Sequence, residues 1–208
     1  MTRGRLASDA GLTLVEVTLM LIVSMSLVAA LVPTLSSTIR RAEIVAATAA
    51  MTDIRNQVIK TLEDVNYTTF TITGTKTGTD VQLLVSDGDT PRECTAIATA
   101  CTSWQAAVDN VGGLTDFIER HLVTNNPRGS ALNFYPVTGN SIWKGPYLNS
   151  PNDPDPWGNR YMVNVQFMNN NTNDVVVLSA GPDEAINTAF AANPLAAGGD
   201  DLIVLVQA

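Results

Sequence analysis

An α+β fold is predicted: one long N-terminal helix packed on a C-terminal antiparallel β-sheet. Three observations carry this. Residues 12–32 form a 21-residue run that is apolar apart from a few hydroxyls and one acid, Glu16. Residues 34–65 continue in apolar steps of three and four. The last third holds two runs, YMVNVQF and DVVVLSA, rich in strand-forming residues and bounded by Asn, Asp, Pro and Gly.

The helix begins behind a short polar leader, MTRGRLASDAG, with Arg3 and Arg5 against Asp9. About 20 apolar residues cross the hydrocarbon core as a helix, and a basic flank stays cytoplasmic. The run LTLVEVTLMLIVSMSLVAALV exceeds the roughly 7–15 apolar residues of a cleaved secretory signal. No small-x-small cleavage site closes it. Glu16 stands near its start, and a charge in lipid is costly and marks function. A plain one-helix membrane anchor is the simpler alternative. Pro33 removes a backbone donor and is expected to kink or loosen the helix. Beyond it, Leu35, Ile39, Ala42, Ala46 and Ala49, then Ile54, Val58 and Leu62, keep the helical period, and Arg40 and Arg41 mark the exit from lipid. One helix over about 12–64 follows, its first half for the membrane and its second for packing on a globular domain, 65–208.

The chain of 208 residues has 12 Lys+Arg against 20 Asp+Glu, a net charge of −8 and a pI near 4.5. So acidic a chain is a poor ligand for a phosphate backbone, and no direct nucleic-acid partner is expected. Cys94 and Cys101, with six residues between them, do not fit a paired zinc motif. They are either a local disulfide or two free thiols, and export favours the disulfide, worth about 2 kcal/mol. No Ser/His/Asp order, phosphate-cradling glycine loop or histidine cluster is present, so no catalytic residue is assigned.

Within the domain, residues 66–93 are rich in Thr, Gly and Asp and read as a hairpin or long loop. Residues 103–110 are weakly helical. Residues 114–124, LTDFIERHLVT, read as an amphipathic helix with Leu114, Phe117, Ile118 and Leu122 on one face, ended by Asn125, Asn126 and Pro127. His121, the single histidine, is expected to be solvated on that helix. Residues 155–161 hold Pro, Gly and Asn, the residues of a tight turn, with Trp157 and Tyr161 capping the core.

Two stretches carry a resemblance. The string GLTLVE, Gly11 to Glu16, resembles the processing site of type IV prepilins. That resemblance implies cleavage after Gly11 by a prepilin peptidase, N-methylation of Leu12, and a conserved acid at the fifth mature position, Glu16. It also implies that the Leu12 ammonium of one subunit neutralises Glu16 of a neighbour in an apolar filament core, where a buried charge is tolerable when paired. Leu12 departs from the family's usual Phe. Many members carry a proline where Pro33 stands, in a region that extends in the filament.

The stretch GPYLNSPNDPDPWGNRYMVNV, 145–165, is similar to the major pseudopilin of type II secretion systems. Asp155, Pro156, Trp157, Gly158, Asn159 and Tyr161 match its motif, and Arg160 replaces the usual proline. The family's calcium-binding loop follows. By that resemblance Asp183, Asp200 and Asp201, with backbone carbonyls near Leu178 and Ser179, are candidate Ca2+ ligands, as a hard cation taking six to eight oxygens requires. Pro182, Glu184 and a 16-residue gap between Asp183 and Asp200 depart from the pattern.

Together the two imply a type IV pilin-like fold and a structural subunit of a filament. It is a homo-oligomer in partnership with the peptidase, an inner-membrane assembly platform and minor pilins or pseudopilins. The chain is expected as a single-pass inner-membrane protein with its C-terminal domain in the periplasm. A major pseudopilin driving protein export is preferred. The alternative is a surface pilin serving adhesion, twitching or DNA uptake, toward which the added residues 66–113 and the cysteine pair lean.

Overall fold

A computed structural model describes residues 13–93, 104, 114–149, 153–169 and 172–207. The fold is α+β, as predicted. The chain divides after Ala42 into two units.

The first unit holds the beginning of helix α1, Leu14–Val65. All its described residues, 13–42, are exposed in the single subunit. The most apolar 18-residue window of α1 has a mean hydropathy of 2.3, and the helix is long and apolar enough to cross a membrane. Its hydroxyls fold back on the backbone: Thr18 donates to the Val15 carbonyl at 2.9 Å, and Ser26 to Val23 at 2.8 Å. Such self-satisfied hydroxyls remove the main objection to Ser and Thr in an apolar segment.

The second unit begins at Glu43. Here α1 buries Ala47, Met51, Ile54, Val58, Leu62 and Val65, the three- and four-residue stripe of an amphipathic helix. The stripe packs against a five-stranded sheet. Its strands are β1 Leu83–Val85, β3 Thr115–Phe117, β4 Met162–Val163, β5 Val175–Ser179 and β7 Leu202–Gln207, in the order β3-β1-β4-β5-β7. All neighbours are antiparallel except β1 and β3, which run parallel. Two-residue strands β2 Arg92–Glu93 and β6 Ala185–Ile186 form a separate parallel pair.

Successive strand residues point to opposite faces, and both faces are buried. Leu84, Val163, Val175 and Val177 meet α1, while Leu83, Val85, Met162, Val176 and Leu178 meet a second core of Trp104, Ile186 and Phe190. The second half of α1, the sheet and the loop after β5 are thus three layers. The end of α1 is held by Asp64, which accepts from Lys144 Nζ at 2.5 Å and from the Tyr147 hydroxyl at 3.1 Å.

The expected strands YMVNVQF and DVVVLSA are β4 and β5. Two expectations need correction, and a third resolves between its alternatives. Residues 114–124 are not one helix: Thr115–Phe117 is strand β3, and only Ile118–Leu122, helix α2, is helical. Pairing with β1 at Leu83↔Thr115, Leu84↔Asp116 and Val85↔Phe117 overrides the local helical pattern. The Thr/Gly/Asp stretch 66–93, expected as a hairpin or long loop, is mostly loop: Thr71 and Asp80 bridge antiparallel across its Gly-rich turn, and β1 and β2 lie in its second half. His121 is fully buried, not solvated. Its Nε2 lies 3.0 Å from Asp116 Oδ2 and its Nδ1 2.6 Å from the Tyr135 hydroxyl. Burial alone would raise the Asp116 pKa. The His121 ring, the Arg128 amide and the Arg120 guanidinium outweigh it and hold this carboxyl at about 2.

Candidate functional site

Two regions hold the candidate residues: the start of α1 and the loop between β5 and β7. Gly11 and Leu12 lie outside the described residues, as do Cys94 and Cys101. Glu16 lies in the first turn of α1. Its carboxylate accepts from the Thr13 amide at 2.9 Å and from the Thr13 hydroxyl at 3.0 Å, while the Glu16 amide donates to that hydroxyl at 3.3 Å. This is a capping box, which satisfies two of the amides a helix start leaves unpaired. In the single subunit Glu16 therefore has a local partner. Pro33 lies inside α1, which continues through it as one helix.

The turn before β4 is built on Asp155. This buried carboxylate accepts from the Trp157 amide at 3.0 Å and the Asn159 amide at 2.8 Å through Oδ1, and from the Ser179 hydroxyl at 2.6 Å through Oδ2. Burial pushes its pKa up, and these bonds oppose the rise. Asp155 thus ties the turn to the end of β5. Arg160, in the place of the usual proline, uses the donor a proline lacks. Its amide reaches the Asp89 carbonyl at 3.0 Å, and its Nε the Gly88 carbonyl at 2.7 Å. Tyr161 is buried in the main core, whereas Trp157 is only half-buried.

Beyond Ser179 the chain reverses at Gly181, whose φ of +69° suits glycine; a Cβ there would collide with the Asp200 carbonyl. That close approach brings two acids together. The Asp183 amide donates to Asp200 Oδ2 at 3.2 Å. Desolvation first, and then the adjacent Asp183 carboxylate, push the Asp200 pKa up. Asp201, 5% exposed, accepts from the Asn187 and Thr188 amides at 2.8 and 2.6 Å through Oδ2, and its Oδ1 has no hydrogen-bond partner among the described residues. Burial pushes its pKa to about 6. Leu178 and Ser179 face Ile203 and Leu202 across the β5–β7 ladder. Among the described residues no three Asp, Glu, His or Cys side chains gather as a metal cluster. The loop supplies one adjacent acid pair and one buried carboxylate oxygen without a donor, so a cation there would draw on backbone oxygens for the rest.

Residues 124–193 match the family model of the type II secretion system protein G. The match supports a major pseudopilin of type II secretion. It covers about a third of the chain, including the Asp155 turn, β4, β5 and Asp183, and leaves out α1, Asp200 and Asp201. No curated protein and no solved structure matches the chain.

Sequence reasoning named Asp155 within its motif but missed that its carboxylate organises the turn and reaches Ser179. It also missed Asn164, which donates to the Asp174 and Phe190 carbonyls at 3.1 and 2.9 Å and accepts from the Val176 amide at 2.8 Å. An Asn amid apolar residues of a strand run was the available signal.

Proposed function

We propose that this chain is cut after Gly11, methylated at Leu12, and assembled through its N-terminal helix into the periplasmic fibre of a type II secretion system. The protein G match over 124–193 carries the secretion-fibre part of this reading, and the GLTLVE string, outside that match, carries the processing. The apolar, fully exposed surface of residues 13–42 supports it, because such a surface needs lipid or other subunits around it. The work is mechanical: subunits leave the inner membrane, lengthen the fibre and push substrate proteins outward. The assembly platform and minor pseudopilins are the partners. The chain recovered from fibres is expected to start at N-methylated Leu12 by intact mass; an uncut chain there would contradict the processing. At native expression it should remain with the envelope fraction. Its recovery in fibres sheared from the cell surface would replace this reading with that of a surface pilin.

The acidic loop is read as a calcium site. Asp183, Asp200 and Asp201, with backbone carbonyls near Leu178 and Ser179, would hold the ion. When bound it would neutralise the acids and tie the loop to the start of β7. A ligand at 100 times its Kd stabilises by about 2.7 kcal/mol, so the melting temperature is expected to rise by several degrees in excess calcium over chelator. Identical melting curves would remove the calcium site. The pairing of Cys94 with Cys101 is part of the same reading, as expected for an exported domain. A free-thiol assay under denaturing, non-reducing conditions should find no thiol; two thiols would contradict the pairing.

A further inference from the structure

We propose that Trp104 is a positioning residue of the acidic loop, holding Thr188 where its amide meets Asp201; its effect on calcium rests on the calcium reading above. Trp104 is fully buried. Its indole N–H donates to the Thr188 carbonyl at 3.0 Å, and its ring stands edge-on to Phe190, with centroids 4.7 Å apart and planes at 88°. Thr188 is itself buried and has all three polar groups engaged. The carbonyl accepts from Trp104, the amide donates to Asp201 Oδ2 at 2.6 Å, and the hydroxyl oxygen accepts from the Gly198 amide at 2.9 Å. The Asp201 amide in turn donates to the Gly198 carbonyl at 3.0 Å. One residue therefore joins the added segment, the Asp201 carboxylate and the glycine turn before Asp200.

The same added segment meets the loop again further upstream. Strand β2 pairs with β6, and the Arg92 amide donates to the Glu184 carbonyl at 2.8 Å. The loop is thus held at residues 184–190 by a part of the chain outside the protein G match. Sixteen residues separate Asp183 from Asp200. Left free, such a loop would lose backbone entropy on closing around an ion. A loop ordered beforehand binds without that loss. The alternative is that Trp104 merely fills the second core, with no bearing on the acids.

Trp104→Phe separates the two, because it keeps the aromatic contact with Phe190 and removes the indole donor. Trp143→Phe is the control: it deletes an equivalent indole bond, to the His121 carbonyl at 2.9 Å, in the other core. The measurements are calcium titration calorimetry and hydrogen exchange of the Asn187, Thr188 and Gly198 amides, on the full chain in detergent. Loss of one net hydrogen bond predicts about five- to tenfold weaker calcium binding for Trp104→Phe. Those three amides should exchange faster in calcium-free buffer, and neither change should appear in Trp143→Phe. Unaltered exchange would overturn the proposal whatever calcium does. Altered exchange with unaltered affinity would overturn its link to the ion. If the wild-type chain binds no calcium, the calcium reading fails and exchange alone decides the brace. A second readout needs no variant: on adding calcium chloride, the Trp104 indole proton should shift by NMR while that of Trp143 stays. The reverse would count against the brace.

Discussion

Glu16→Ala is expected to abolish fibres while the membrane-inserted subunit accumulates normally. In an assembled core the Leu12 ammonium would lose its partner. An uncompensated buried charge costs about 3–5 kcal/mol, which is a factor of more than 100 at each addition step. The capping box complicates this, because Glu16 also secures the first turn of α1 through Thr13. Glu16→Gln resolves it. Gln serves in a capping box as Glu does but carries no charge. If charge pairing matters, Glu16→Gln fails with Glu16→Ala. If only the helix start matters, it assembles like the wild type. Normal fibres from both variants would remove the pairing account altogether. The readouts are immunoblots of the membrane fraction and counts of fibres by electron microscopy.

The second large effect is on stability. Asp155→Ala leaves the Trp157 and Asn159 amides and the Ser179 hydroxyl without their acceptor. At about 1 kcal/mol or more for each orphaned buried donor, the loss is about 3–4 kcal/mol, a large share of an ordinary domain's stability. For a domain of this size the melting temperature should fall by about 10 °C. Asp155→Asn keeps one acceptor oxygen and should fall between. A loss below about 1 kcal/mol for Asp155→Ala would mean that the turn holds its shape without this carboxylate. Because Ser179 opens the segment leading to Asp183, the same variant should also disturb the acidic loop.

The long helix was legible because its signals are local: an apolar run, then Ile54, Val58 and Leu62 at helical spacing, although Ala46 and Ala49, read in the same series, are exposed and Ala47 and Met51 are buried instead. Strands β4 and β5 were legible for the same reason. Strand β3 was not, since three residues, Thr115–Phe117, carry no period of their own and depend on β1 some thirty residues earlier. His121 was misread because the groups that satisfy it, Asp116 and Tyr135, come from a strand and a loop that only the tertiary fold places around the ring. In the site, the acids Asp183, Asp200 and Asp201 were visible as residue types. Their arrangement was not, because it follows from the Gly181 reversal and from Thr188, whose three bonds reach from Trp104 to Asp201. Asp155 was seen as part of a turn, but a turn motif does not reveal that its first acid reaches a neighbouring strand.

The central claim, that this chain builds the fibre that drives export, is tested most directly by deleting it and measuring where exported enzymes accumulate. The account predicts that they remain in the periplasm, that surface fibres persist, and that the wild-type chain restores release to the medium while Glu16→Ala does not. Normal release from the deletion strain, with loss of surface fibres, would contradict it.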